Sequence, residues 1–186
     1  MSKIGLLLGS FDPPHVGHLE LCTLVLNNCD IKEVFLVPAW QNPWKKSTPY
    51  EDRYMMCRHM TTGLFGIMPI DIERQLVADP ENPLFTAQVL EAFPRFFPND
   101  DFYVITTKET WNEMDRWKDG NIIKEKCKFL REGIDFPEHS FNIHSSDIRQ
   151  LIKERKRVIP YVTSEVYKYM YDNELYEGLT FEDYKP

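Results

Sequence analysis

Two histidines lie three residues apart in a glycine-bearing segment near the start of the chain, Gly9-Ser-Phe-Asp-Pro-Pro-His-Val-Gly-His18. If its second half is helical, His15 and His18 share one face. Gly9 lets the backbone approach a ligand closely, and free N–H groups at a helix start near Gly17 can hold a phosphate. Two imidazoles beside a phosphate can stabilise the charge that builds during phosphoryl or nucleotidyl transfer. The alternatives are an ordinary surface turn and a zinc pair, for which no third ligand follows nearby.

A second segment, Ile143-His-Ser-Ser-Asp-Ile-Arg149, combines hydroxyl groups with an arginine. Ser145 or Ser146 can cap the helix predicted to follow, and a hydroxyl beside free N–H groups forms a second anion site. Arg149, one turn later, can hold the same phosphate with its forked guanidinium. Taken alone, the segment is equally typical of a capped surface helix with a solvated arginine.

Both segments resemble signatures of the HxGH nucleotidylyltransferase superfamily. The first resembles G-[ST]-F-D-P-x-H-x-G-H, and the second resembles I-S-x-T-x-[IV]-R, with His144 in place of the usual serine and Ser146 in place of threonine. The resemblance implies catalytic roles for His15 and His18. It also implies ATP or phosphate contacts from a larger set: Gly9, Ser10, Phe11, Gly17, Ser145, Ser146 and Arg149.

Three further features resemble the branch that acts on nicotinate and nicotinamide mononucleotides. Residues 83–90 resemble its S-Y-T-x-x-T-L segment, and residues 38–46 resemble its P-x-x-x-P-x-[HK]-[KR] loop. A tryptophan after the fourth predicted strand resembles the one beside the nicotinic ring, to which an indole offers a stacking face. In isolation these features also fit a helix cap, solvated lysines and a core tryptophan. The resemblance implies mononucleotide contacts from Lys45, Lys46, Thr86 and Trp117.

One position departs from the branch. Its fourth strand usually ends in G-x-D, whose aspartate approaches the nucleotide, but here the run is Thr106-Thr107-Lys108. A lysine cannot accept a hydrogen bond from a ribose hydroxyl as an aspartate does.

The resemblance implies a transfer of AMP from ATP to the phosphate of nicotinate or nicotinamide mononucleotide, giving deamido-NAD or NAD and pyrophosphate. The acceptor phosphate is itself the nucleophile, so catalysis requires positioning and charge stabilisation. Mg²⁺ is expected to enter with ATP rather than in a dedicated protein site. Two alternatives stay open: another HxGH transferase, such as a pantetheine-phosphate adenylyltransferase or a cytidylyltransferase, and a degenerate nucleotide-binding homologue, which Lys108 favours.

The elements that must position these residues alternate along the chain. Apolar runs predict strands at 3–8, 33–37, 67–72, 102–105, 128–130 and 141–143. Helices are predicted at 17–28, 51–60, 86–96, 145–156 and 163–173, with Thr163 or Ser164 as the last cap and a short helix or loop at 111–118. The alternation predicts an α/β fold: a doubly wound parallel sheet with helices on both faces. Its ligand is then expected at the carboxyl ends of the strands.

The bulk properties restrict the classes of partner. A length of 186 residues suits a single domain over 1–186, with 178–186 as a loose tail. A net charge of -7 disfavours general binding of nucleic acid or anionic membrane. The four cysteines form no C-x-x-C pair, and no apolar run is long enough to span a membrane. We therefore expect a cytoplasmic protein with small-molecule partners, and homo-oligomerisation stays open.

Overall fold

The computed structural model describes residues 1–41, 46–79, 82 and 84–179. These described residues form a five-stranded parallel sheet in the order β3-β2-β1-β4-β5. The strands are β1 Lys3–Gly9, β2 Glu33–Pro38, β3 Ile67–Pro69, β4 Asp101–Thr106 and β5 Lys128–Arg131. The order runs outward in opposite directions from β1 and β4, so these neighbours form the switch point beyond which ligands bind.

Each strand is followed by one or two helices. They are α1 Val16–Asn28, α2 Tyr50–Met60, α3 Ile72–Leu76, α4 Thr86–Phe96, α5 Lys108–Glu113, α6 Gly120–Lys126, α7 Ser145–Lys153 and α8 Ser164–Asp172, with a 3₁₀ turn at Met114–Arg116. Thr163 caps α8 as predicted, because its hydroxyl accepts a hydrogen bond from the N–H of Val166 at 3.3 Å. Within the described ranges, no helix combines the length and the apolar character needed to cross a membrane.

Alternate residues of the central strands bury two cores, one on each side of the sheet. Leu7, Val34 and Leu36 face one core, which buried residues of α1, α2, α7 and α8 complete. Leu6 and Phe35 face the other, which α3 and α4 complete. Successive side chains of these buried strands point to opposite faces of the sheet, and helices cover both faces. The predicted doubly wound fold is therefore confirmed.

The predicted strand at 141–143 is wrong. The backbone N–H groups of Ser140 and Phe141 donate to the carboxylate of Glu20, at 2.9 Å each, instead of joining a strand ladder. An apolar run is not sufficient for a strand when a side chain satisfies the backbone donors.

Other boundaries also differ from the prediction. The third strand ends at Pro69, which has no N–H for the ladder, and the short helices α3 and α6 were not predicted. The helix predicted at 145–156 ends at Lys153, since Arg155 takes a left-handed φ of 54°. At the expected tail, Gly178 has a φ of 109° and Leu179 packs against the first core, while 180–186 lie outside the described residues.

Candidate active site

The turn formed by residues 9–18 follows β1 and ends in the first turn of α1. Phe11 is buried with a left-handed φ of 50°, and its ring centroid lies 4.8 Å from that of His18. A Cβ on Gly17 would lie 3.1 Å from Nδ1 of His15 and 3.3 Å from the carbonyl oxygen of Phe141. Glycine at position 17 therefore lets the His15 ring and the 141 backbone pack closely on the start of α1.

His15 and His18 lie side by side, with ring centroids 3.7 Å apart, as their spacing predicts. The backbone N–H of His15 donates to Nδ1 of His18 at 3.1 Å. Because Nδ1 is an acceptor, the proton of a neutral His18 ring lies on Nε2. His18 can therefore donate one hydrogen bond through Nε2.

Both imidazoles are held in the neutral form. Burial, with smaller effects of the nearby His144 and His139, lowers the pKa of His15 to about 4. Burial likewise lowers the pKa of His18 well below its ordinary value of 6.5, with His15 as the next cause. At neutral pH the pair can therefore act as hydrogen-bond donors to an anion without carrying charge.

The start of α7 packs against this turn. The Ser145 hydroxyl donates to the Pro13 carbonyl at 2.8 Å, and Nη1 of Arg149 donates to the Asp12 carbonyl at 2.5 Å. The structure thus brings the two predicted phosphate segments together. Ser146 is exposed in the first turn of α7.

The prediction that Ser145 or Ser146 caps α7 is wrong. His144 is the cap residue, and the Asp147 carboxylate accepts its N–H at 2.9 Å. The hydroxyl of Ser145 is engaged by the 9–18 turn, so neither Ser145 nor Ser146 serves as the cap.

Asp12 joins three parts of the chain. It is buried, its Oδ1 accepts the Tyr176 hydroxyl at 2.6 Å, and its Oδ2 accepts the Thr48 N–H at 3.3 Å. Its Oδ2 also lies 3.9 Å from Nη1 of Arg149. The carboxylate therefore fixes the turn to the loop before α2 and to the segment after α8.

Arg53 is a buried residue of the site that the sequence analysis did not identify. Its side chain is 1% exposed and donates to the carbonyls of Ser10, Trp40 and Thr48, each at 2.8 Å. The available signal was helical spacing, since Arg53 shares the buried face of α2 with Met56, Cys57 and Met60. An arginine on an apolar helix face must find polar partners, and here they are loop carbonyls.

Glu73, on α3, contacts the same Trp40 backbone that Arg53 contacts. It is buried and accepts the Trp40 N–H at 2.6 Å. Burial raises the pKa of Glu73 to about 7, against the opposing effects of the Trp40 N–H and the Arg53 charge. The Trp40 backbone is thus held on both sides, by Arg53 and by Glu73.

Lys46 is exposed at a cavity of about 350 Å³ beside the turn. Trp40, Tyr50 and Arg53 also line this cavity. The predicted site residue Lys45 lies outside the described residues.

Thr86 and Trp117 belong to a second group on the α4 side of the sheet. Thr86 is the first residue of α4 and Phe85 is the cap residue, so Thr86 is not the helix cap. Nζ of Lys118 lies 3.9 Å from the centre of the Phe85 ring, which joins the start of α4 to the segment that contains Trp117. Trp117 is half-buried.

Lys108 stands where the branch that acts on nicotinate and nicotinamide mononucleotides usually has an aspartate. Its side chain is paired with that of Glu138. Its backbone N–H donates to Oε2 of Glu132 at 3.2 Å. The lysine charge is therefore balanced within the protein by an acid from the segment after β5. Among the described residues, no three His, Cys, Asp or Glu side chains form a group that could hold a metal ion.

Comparison with known proteins shows the family to which the chain belongs. A family model described as cytidylyltransferase-like matches residues 6–151. A protein from Anaeromyxobacter dehalogenans strain 2CP-1 named "Probable nicotinate-nucleotide adenylyltransferase" is 30% identical over 187 residues, which cover 95% of this chain and 97% of that protein. A protein of the same name from Christiangramia forsetii is 27% identical over 195 residues, covering 94% of this chain and 98% of its own.

Among solved structures, the fold is similar to that of the Plasmodium falciparum nicotinic acid mononucleotide adenylyltransferase complexed with NaAD. The TM-score is 0.78 at 20% sequence identity, and the match covers 96% of this chain and 99% of the other. At this identity, the similarity shows that the fold is shared.

Proposed function

Because this chain belongs to the cytidylyltransferase-like family and to its nicotinate-nucleotide adenylyltransferases, we propose a function for it in NAD biosynthesis. The protein is an adenylyltransferase that moves AMP from ATP onto nicotinate or nicotinamide mononucleotide, giving deamido-NAD or NAD and pyrophosphate. The names of its relatives favour the nicotinate form as the acceptor. The observation that carries the proposal is the close packing of the His15 and His18 rings on a turn to which Ser145, at the start of α7, is hydrogen-bonded.

The transfer needs no protein nucleophile. An oxygen of the mononucleotide phosphate attacks the α-phosphorus of ATP, a new P–O bond forms, and the bond to the β-phosphate oxygen breaks as pyrophosphate leaves. Negative charge builds on the oxygens of the transferring phosphate. In our proposal His18 donates from Nε2 to one of these oxygens, and His15 contacts the same group.

The triphosphate would lie between the 9–18 turn and α7. Gly9, Ser10, Phe11 and Gly17 shape the turn, and Ser145, Ser146 and the free N–H groups of α7 provide donors. Arg149 donates to the Asp12 carbonyl, so it lies within reach of the turn and could exchange that bond for a phosphate.

The acceptor would lie toward α4. Trp117 offers an indole face to the pyridine ring, Thr86 offers a hydroxyl, and Lys45 and Lys46 offer positive charge to the mononucleotide phosphate. Lys46 supports this role through its position at the cavity beside the 9–18 turn.

Magnesium fits this site as a companion of ATP. The two phosphate segments contain Asp12 and Asp147; both oxygens of Asp12 already accept hydrogen bonds, and Asp147 accepts the His144 N–H. The triphosphate and water would therefore supply the ligands of Mg²⁺, and the ion would neutralise phosphate charge.

The experiment is an acceptor panel. The purified protein is incubated with ATP, Mg²⁺ and, separately, nicotinate mononucleotide, nicotinamide mononucleotide or phosphopantetheine, and pyrophosphate release is measured. We expect release with a mononucleotide and a product whose mass equals the corresponding dinucleotide. Adenylylation of phosphopantetheine with neither mononucleotide used would overturn the proposal.

A further inference from the structure

We propose that Glu20 and Glu132 are positioning residues for ATP, because they jointly hold segment 139–141 and so fix the start of α7 against the 9–18 turn. The inference rests on the proposed function, in which the start of α7 contacts the triphosphate. Neither glutamate belongs to the two signature segments.

Glu132 holds the segment from the β5 side. Its side chain is buried, and its Oε1 accepts the backbone N–H of His139 at 2.9 Å and also contacts Nδ1 of the same residue. Its Oε2 accepts the N–H of Lys108, at the start of α5. One carboxylate therefore joins the ends of β4 and β5 to residue 139.

Glu20 holds the segment from the α1 side. Its Oε1 accepts the N–H of Ser140 at 2.9 Å and the Ser140 hydroxyl at 2.5 Å, and its Oε2 accepts the N–H of Phe141 at 2.9 Å. Glu20 lies two residues after His18 on the same helix. The segment is thus attached directly to the helix that carries the histidine pair.

Three successive backbone N–H groups, those of residues 139, 140 and 141, donate to side-chain carboxylates. The segment belongs to no helix or strand, so these bonds replace those that a regular element would supply. Burial alone raises the pKa of each glutamate. The hydrogen bonds from Ser140 and Phe141 at Glu20, and those from His139 and Lys108 at Glu132, outweigh burial, so both pKa values are lowered and both acids stay ionised.

The anchoring of segment 139–141 by the two glutamates acts on the phosphate site, because the two lie close together along the chain. Three residues separate Phe141 from Ser145, whose hydroxyl donates to the Pro13 carbonyl. The Phe141 carbonyl also packs on Gly17, within the first turn of α1. Releasing the segment would let the start of α7 move relative to the histidines, so its donors would lose their alignment with the triphosphate and ATP would bind less tightly.

The test compares Glu20→Gln, Glu132→Gln and a control, Glu125→Gln, which alters an exposed acid on α6. Glutamine keeps the length but replaces one acceptor oxygen with a donor. We expect the KM for ATP to rise by about tenfold in the first two variants, while the KM for the mononucleotide stays within about twofold. Hydrogen exchange of the amides of 139–149 should become about tenfold faster in the same variants, and the control should match the unaltered protein.

Two results would overturn the inference. One is an unchanged KM for ATP in active Glu20→Gln and Glu132→Gln proteins, with any loss of kcat matching the loss of folded protein, which is the signature of a merely structural role. The other is unchanged exchange of 139–149. If the unaltered protein releases no pyrophosphate, the proposed function fails instead, and the exchange data still decide whether the two glutamates hold this segment.

Discussion

At the scale of single residues, the site depends on histidines that the fold keeps uncharged. His18 receives the His15 backbone N–H on Nδ1, so its proton is directed to Nε2. A neutral donor of this kind gains most when charge develops on its partner, because it brings no strong attraction for the ground state.

We expect His18→Ala to lower kcat by roughly a hundredfold to a thousandfold, equivalent to about 2.7–4 kcal/mol, by analogy with deletion of an oxyanion-hole donor. The KM values for both substrates should change little, because the lost contact matters mainly in the transition state. Steady-state pyrophosphate release and calorimetric ATP binding measure the two effects. His59→Ala is the control, because His59 packs on Tyr169 away from the turn. Near-normal turnover of the His18 variant would contradict its catalytic role.

Arg149, unlike His18, should contribute mainly to the binding of ATP rather than to kcat. Replacing it with alanine removes a forked, charged contact to phosphate, which costs on the order of 1.5–3 kcal/mol. We therefore expect the Kd for ATP to rise by about tenfold or more, and the Kd for the mononucleotide to change much less. Isothermal calorimetry measures both constants, and Arg157→Ala, which alters an exposed arginine after α7, serves as the control. Equal losses for both substrates would place Arg149 elsewhere in the site.

At the scale of elements, the loops at the carboxyl ends of β1 and β2 are held together by one side chain from α2. Arg53 donates to carbonyls of both loops, at Ser10 and at Trp40 and Thr48. These three residues lie outside the helices and strands, and the guanidinium gives their carbonyls hydrogen bonds that no regular element supplies.

Replacing Arg53 with methionine should lower the free energy of unfolding by about 3–5 kcal/mol, because three loop carbonyls lose hydrogen bonds from a charged donor that methionine cannot replace. Methionine has a helix propensity similar to that of arginine, so α2 itself should persist. Arg58→Met, on the exposed face of the same helix, should stay within about 0.5 kcal/mol of the unaltered protein in urea denaturation. A loss below about 1 kcal/mol at position 53 would show that water or other groups replace the guanidinium.

Sequence periodicity predicted most elements, because buried parallel strands and amphipathic helices leave strong patterns. It failed at 141–143, where the Phe141 N–H donates to Glu20, 121 residues away along the chain, and the N–H groups of Asn142 and Ile143 donate to the nearby carbonyls of Ser140 and Phe141. The same limit applies to the site. The spacing of His15 and His18 is local and visible, whereas Arg53 and Glu132 act through partners that only the folded chain brings together. Ser145 combines both kinds of feature. Its position at the helix start was predictable from the sequence, but its hydrogen bond to the Pro13 carbonyl was not.

At the scale of the whole molecule, two buried groups give opposite dependences of stability on pH. The pKa of His15 is lowered from 6.5 to about 4, so between these values the unfolded chain binds the extra proton and stability falls as pH falls. The pKa of Glu73 is raised from 4.5 to about 7, so in that window the folded protein holds the extra proton and stability falls as pH rises. Their contributions oppose each other between pH 4.5 and 6.5.

The substitution Glu73→Gln should remove the contribution of Glu73 to the pH dependence of stability. Glutamine does not titrate, and its amide oxygen can still accept the Trp40 N–H that Glu73 accepts at 2.6 Å. The free energy of unfolding of the variant, minus that of the unaltered protein, should therefore rise by roughly 3 kcal/mol between pH 4.5 and 7.5, since each pKa unit corresponds to about 1.4 kcal/mol. Urea denaturation at intervals across this range measures the difference, and the same series for Glu125→Gln should be flat. A flat series for Glu73→Gln as well would mean that Glu73 titrates near its ordinary pKa, and that the Arg53 charge and the Trp40 N–H offset its burial.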